Sequence, residues 1–286
     1  MMTSLPKPWL DKQGLGKGDT VSLTVTEKGI LVESSHVSKD RELSFDMKTE
    51  AQNAVKTLVT NAYRAGFDTI TVQYETKTTY QHISDTVTDV LLGFDITEKT
   101  SDACTIEALT EPSNKTYDEL IQKIFHNIGV LFDKANQAFQ TEESVDDIDD
   151  IERRIYQYKN VCKRIINKHR ALEDTAGFHT VLLTKLTHAQ RELYHGVQAK
   201  KEPSQHIQSL IEDTETMFRT IQDAWQQKSK QPLTDTHSLE QSVIHNHGYH
   251  VLENDPNKAS ATRIIAAARQ FYQTNSSLSG VLFLSE

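Results

Sequence analysis

The densest set of potential metal ligands lies late in the chain. His245, His247 and His250 precede Glu253. On a helix, His247, His250 and Glu253 would fall three residues apart on one face. Imidazole and carboxylate donors at that spacing suit zinc or nickel. Asn246, Gly248 and Asn254 interrupt the run and mark a helix end or loop, where surface histidines need no metal. Glu192-Leu193-Tyr194-His195 is a Glu-x-x-His in a helical stretch. A di-iron bundle needs two of these and a glutamate from each of two further helices. The other instance, Glu33 to His36, ends a predicted strand. Glu142, Glu143, Asp146, Asp147, Asp149, Asp150 and Glu152 form an acidic run that opens a helix. The helix dipole favours negative charge there, so a solvated first turn is a simpler reading than a cation site. Gly14-Leu15-Gly16-Lys17-Gly18 precedes a strand instead of joining strand to helix, so it reads as a turn and not a phosphate cradle. No Gly-x-Ser-x-Gly, P-loop or Gly-x-Gly-x-x-Gly occurs. We therefore expect no enzyme, no cofactor and no metal.

The elements that would carry these residues fall into three blocks. In the first, Pro8 suits the first position of a short helix and Gly14 can close it. Gly18-Asp19 turns the chain. Val21, Leu23 and Val25 then alternate with Ser22, Thr24 and Thr26 as a half-buried strand. Lys28-Gly29 turns it again into Ile30-Leu31-Val32. The second block runs over residues 37–112. It alternates a strand at Arg41–Phe45, a helix at Glu50–Ala65 stopped by Gly66, and a strand through Ile70, Val72 and Tyr74. A helix ending at Gly93 and two more strands follow, giving the order βαβαββ. From Tyr117 onward the apolar period is helical. Tyr117–Phe139, Val145–Ile165, Phe178–Leu193 and Ile207–Ile221 form four seams. A weaker fifth lies at Leu239, Val243 and His247. A sixth runs from Ala261 to Tyr272, with a bend expected over Asn275–Gly280. The fold class is α+β: a β-rich head over 1–36, a small α+β unit over 37–112, and an antiparallel helical bundle over 113–286.

Composition narrows the function classes. Net charge is −9 and is uneven. Residues 1–36 carry four basic and four acidic side chains, net 0; residues 37–112 carry seven and thirteen, net −6; the rest supplies −3. DNA affinity rests on Lys and Arg neutralising phosphates, so this is a poor electrostatic footprint for it. Two cysteines, Cys104 and Cys162, lie far apart without a C-x-x-C, which fits a reducing interior. With no apolar run of membrane-span length and no signal region, a cytoplasmic location without membrane insertion is expected.

The first block, Ser4-Leu5-Pro6-Lys7-Pro8-Trp9 through Lys17-Gly18-Asp19 to Gly29-Ile30-Leu31, resembles the SpoVT/AbrB module of transcription regulators. Such a head ahead of six helices is similar to archaeal members of the PhoU family, the phosphate uptake regulators. Three further segments carry the likeness: Ala62–Ile70, Leu92-Gly93-Phe94-Asp95-Ile96, and Cys162–Lys168. The resemblance implies a homodimer closed by intertwined hairpins, a bundle that binds a regulatory protein partner, and DNA contacts from Lys7, Lys12 and Lys17, weak given the neutral head. It implies a head short of its first strand, since only Met1, Met2 and Thr3 precede Ser4. It also implies metal-binding acids on the bundle helices. Thr187 and Arg191 stand where a Glu and an Asp would be, and Tyr156 follows Glu152 by four residues. The expected function is regulation of phosphate uptake and phosphate-responsive transcription through protein contacts. The alternative is a helical scaffold that has lost DNA and metal binding.

Overall fold

A computed structural model describes residues 4–26, 29–34, 41–111, 116–142, 146–168 and 172–284. At the N-terminal end, helix α1 (Lys7–Gln13) has proline in its first turn and ends at Gly14, whose φ of 66° places it in the left-handed region. That is the conformation glycine adopts without cost. Strands β1 (Val21–Thr26) and β2 (Gly29–Ser34) pair antiparallel, from Val21 opposite Ser34 to Thr26 opposite Gly29. The turn expected at Lys28 lies outside the described residues. No residue of this hairpin joins the main core among the described residues.

The middle unit is built from β3 (Glu42–Met47), α2 (Gln52–Arg64), β4 (Thr69–Tyr74), α3 (Lys77–Val90), β5 (Phe94–Lys99) and β6 (Ala103–Ala108). The sheet order is β3-β4-β6-β5. β3 and β4 are parallel across α2, and the other pairs are antiparallel. Ile70, Val72 and Tyr74 on β4 and Cys104 and Ile106 on β6 are buried at alternate positions, as a sheet covered on one face requires. α2 and α3 lie against each other and both meet the long helix α5.

The bundle consists of α4 (Thr116–Gln140), α5 (Ile148–Lys168), α6 (Ala176–Gln198) and α7 (Gln205–Gln227), then α8 (Thr236–Glu240) and α9 (Tyr249–Asn254), and finally α10 (Lys258–Leu284). Its centre holds Phe132, Phe218 and Phe271 from α4, α7 and α10, with ring centroids 5.4 to 5.8 Å apart. Contacts at such distances add to the area that three aromatic side chains bury. Ser204 caps α7, accepting from the Ile207 amide at 3.1 Å. Among the described residues no strand follows Ala108, and no helix is long and apolar enough to cross a membrane.

Two expectations change. The weak fifth helix is a continuous run in which a π-helical segment, Gln241–Gly248, joins α8 to α9. Its wider turn buries Val243 and Ile244 side by side, a spacing that a 3.6-residue search does not recognise. The bend expected over Asn275–Gly280 is absent, and α10 continues to Leu284. Gly280 serves close packing there. A Cβ on it would sit 2.4 Å from the Phe178 ring of α6.

Candidate functional site

A buried polar cluster joins the α+β unit to the bundle. Arg164 of α5 is fully buried. It donates to Asp68 Oδ1 at 2.7 Å, to Glu111 Oε2 at 2.8 Å, and to the carbonyls of Tyr63 and Phe67 at 3.0 and 2.7 Å. Its guanidinium also lies 5.3 Å from the Tyr63 ring centre and 4.7 Å from that of Phe94. One turn later, Lys168 reaches both carboxylates. Asp68 Oδ2 accepts from the Arg41 amide at 3.0 Å. Burial acts to raise the pKa of Asp68. Hydrogen bonds from Lys168 and Arg41, with the charges of Lys168 and Arg164, outweigh it and hold the carboxyl below its usual range. Burial acts on Glu111 in the same sense and is likewise outweighed, by Arg164 and then Lys168. Gly66 makes the approach possible. Its φ is +88°, and a Cβ there would meet Lys168 Cβ at 2.7 Å. The segments Ala62–Ile70, Leu92–Ile96 and Cys162–Lys168, far apart in sequence, thus converge on one joint. Its charges are matched, and Arg164, Asp68 and Lys168 are nearly enclosed, which suits a structural clamp better than chemistry.

The residues singled out from sequence are dispersed. Lys7 and Lys12 lie on α1, and Lys17 is exposed in the following turn. His247 Nδ1 lies 2.6 Å from Asp213 Oδ2 on α7, while His250 Nδ1 is 3.2 Å from the Asn254 amide nitrogen. The described residues hold no group of three side chains placed to ligate a metal. Glu192 pairs with Arg263 of α10 at 2.8 Å. Thr187 is buried and donates back to the Leu183 carbonyl at 2.8 Å. In the acidic run, Asp149 accepts from Tyr194 Oη at 2.7 Å and Asp150 pairs with Arg153 at 2.6 Å. His179 is a satisfied core histidine, with Nδ1 2.8 Å from Tyr117 Oη. Burial pushes its pKa down to about 4.

A different group emerges where α5 and α6 run antiparallel. Lys163 Nζ donates to Thr184 Oγ1 at 3.1 Å. Lys159 lies one turn before Lys163 on α5, and His188, Arg191 and His195 follow Thr184 along α6. Three cations surround the Tyr156 ring: Lys159 at 4.1 Å, Lys56 at 5.0 Å and Arg64 at 5.6 Å. Arg64 is held by Asn160 Oδ1 at 2.9 and 2.7 Å. Burial, then the charges of Arg64 and Lys163, bring the Lys159 ammonium down to about 7. Burial, then Lys159, Lys163 and Lys185, also lower His188. A cleft of about 390 Å³ lies between α6 and α10, lined by His188, Arg191, Glu192, His195, Arg263 and Gln270. This positive strip was not read from the sequence. Its only signal there is the spacing of Lys159 with Lys163 and of His188 with Arg191 and His195. The pairing of α5 with α6 is what makes it one feature.

No protein-family model, no curated protein and no solved structure matches the chain.

Proposed function

We propose that this chain is a non-catalytic regulator of the phosphate-uptake kind, dimeric through its N-terminal hairpin and acting through protein contacts of its bundle. The observation that carries the reading is the state of that hairpin. Leu23 and Ile30 share one face, since Leu23 lies opposite Val32 and Ile30 is two residues before Val32. They are 60% and 63% exposed. A two-stranded hairpin with an open apolar face is marginal by itself in water. A second copy of the same hairpin would cover that face and pair its open edges. The order of head, α+β unit and bundle adds support through the resemblance described above. The two buried, unpaired cysteines fit a reducing cytoplasm.

Sedimentation velocity tests the reading. The chain should run as a dimer at tens of micromolar, roughly the range in which modest interfaces assemble. Leu23→Asp with Ile30→Asp should give a monomer whose thermal unfolding is unchanged, because neither side chain belongs to the core. A wild-type monomer at high concentration would remove the argument. A dimer that persists in the double variant would move the interface elsewhere and favour the scaffold alternative.

A further inference from the structure

We propose that the cleft between α6 and α10 binds a small phosphate-bearing anion, gripped by Arg191 with His188, His195 and Arg263. This goes beyond the regulatory reading and does not depend on it. Arg191 is exposed, and its hydrogen bond within the chain is a long one, from Nε to His195 Nε2 at 3.4 Å. No carboxylate pairs with it among the described residues. The one acid in the lining, Glu192, is engaged by Arg263 at 2.8 Å. The cleft is therefore positive by at least one charge before either histidine is protonated.

Its surroundings strengthen that field. Lys163 stands behind α6 on α5, and Lys159, with its pKa near 7, is close enough to Arg191 to add its charge when protonated. A cation entering the cleft would meet two arginines against one carboxylate. An anion meets attraction, which near a protein surface is stronger than in bulk water. The donors come from two helices, Arg191 and the histidines from α6 and Arg263 from α10. A planar carboxylate is satisfied by a single guanidinium fork, whereas a tetrahedral phosphate offers oxygens to Arg191 and to imidazoles on either side. The cleft has the volume of a small-molecule site. A long polyanion laid across it would run onto a chain whose net charge is −9.

The test is calorimetric titration of the full chain in chloride buffer of matched ionic strength. Inorganic phosphate, pyrophosphate and adenosine triphosphate are the separate probes. Saturable one-to-one binding of at least one is expected, and the tightest of the three tells free phosphate from an organic phosphate. Arg191→Gln should weaken that binding at least about tenfold, the scale of a lost charge-assisted fork. Arg263→Gln, which releases Glu192 into the cleft, should weaken it by a similar factor. Both side chains are exposed, so neither variant should alter folding. Lys17→Gln in the head should leave binding unchanged. Absence of saturable heat with all three probes up to about 10 mM, the weak end of useful affinity, would overturn the proposal. So would undiminished binding by Arg191→Gln.

Discussion

Arg164 shows what one residue can decide in this chain. Its guanidinium is out of water, and two carboxylates and two carbonyls repay the desolvation. Removing it takes from Asp68 and Glu111 the guanidinium they share, leaving Lys168 as the cation that reaches both. Arg164→Ala should therefore cost about 3–5 kcal/mol, the usual penalty for breaking one side of a buried pair, measured by urea unfolding. Gly66→Ala attacks the same joint through the backbone. It forces a side chain into a left-handed conformation and against Lys168, with an expected cost of about 1–3 kcal/mol. The joint also sets a pH dependence. Asp68 and Glu111 are held below their ordinary pKa values in the fold. Their contribution is complete above the unfolded carboxylate range, near pH 4, and is lost as pH falls through the lower folded values. The melting temperature of the native chain should thus drop steeply below about pH 4. The Asp68→Asn variant should start lower and fall less. Parallel curves for the two would show that Asp68 is not the responsible group.

At the scale of elements, α5 bears two loads: the clamp to the α+β unit and the crowded positive strip facing α6. The groups around Lys159 are Arg64 from α2, Glu152 and Lys163 from α5, and Arg191 from α6. Of these charges only Glu152 favours the ammonium, helped by the face of the Tyr156 ring at 4.1 Å. With its pKa near 7 in the fold against the ordinary lysine value, the unfolded chain binds the extra proton between about pH 7 and 10. Stability from this group therefore rises with pH across that window, and the penalty is largest below it. Lys159→Met should raise the melting temperature at pH 6, and the gain should shrink toward pH 10. A constant difference at both pH values would argue against a depressed pKa. The helices themselves were largely legible in the sequence. The stripes at Tyr117–Phe139, Phe178–Leu193 and Ile207–Ile221 match α4, α6 and α7, because amphipathic periodicity is a local property. Gly14 and Gly66 end helices as read, because positive φ leaves a local mark. The clamp was not legible as a unit, since Asp68 and Arg164 are 96 residues apart. The same holds for the strip, whose charges become neighbours only through helix pairing. The π-helical segment escaped because its period matches no common template.

For the whole molecule, the distribution of charge bears on whether the head can hold DNA. The sequence places Lys7, Lys12, Lys17 and Lys28 in the head against Asp11, Asp19, Glu27 and Glu33, a net of 0. The middle block then adds −6. Each phosphate neutralised adds roughly one unit to the salt dependence of binding, and ordinary DNA binders make about six or more such contacts. Two heads in a dimer would bring eight lysines and eight acids together, so few cations would be left uncompensated. A positive feature among the described residues is the strip on α5 and α6. It belongs to the bundle and adjoins a cleft sized for a small molecule. We therefore expect this chain to bind duplex DNA weakly, with no better than micromolar affinity, about the level of non-specific binding at physiological salt. Fluorescence anisotropy with a labelled duplex at that salt would read it directly. Lys17→Gln should change the weak signal little, and lowering the salt should strengthen it for all sequences alike. Submicromolar binding that distinguishes one duplex from another would show that the head selects DNA despite its balanced charge. The protein-contact reading would then have to make room for a direct role at an operator.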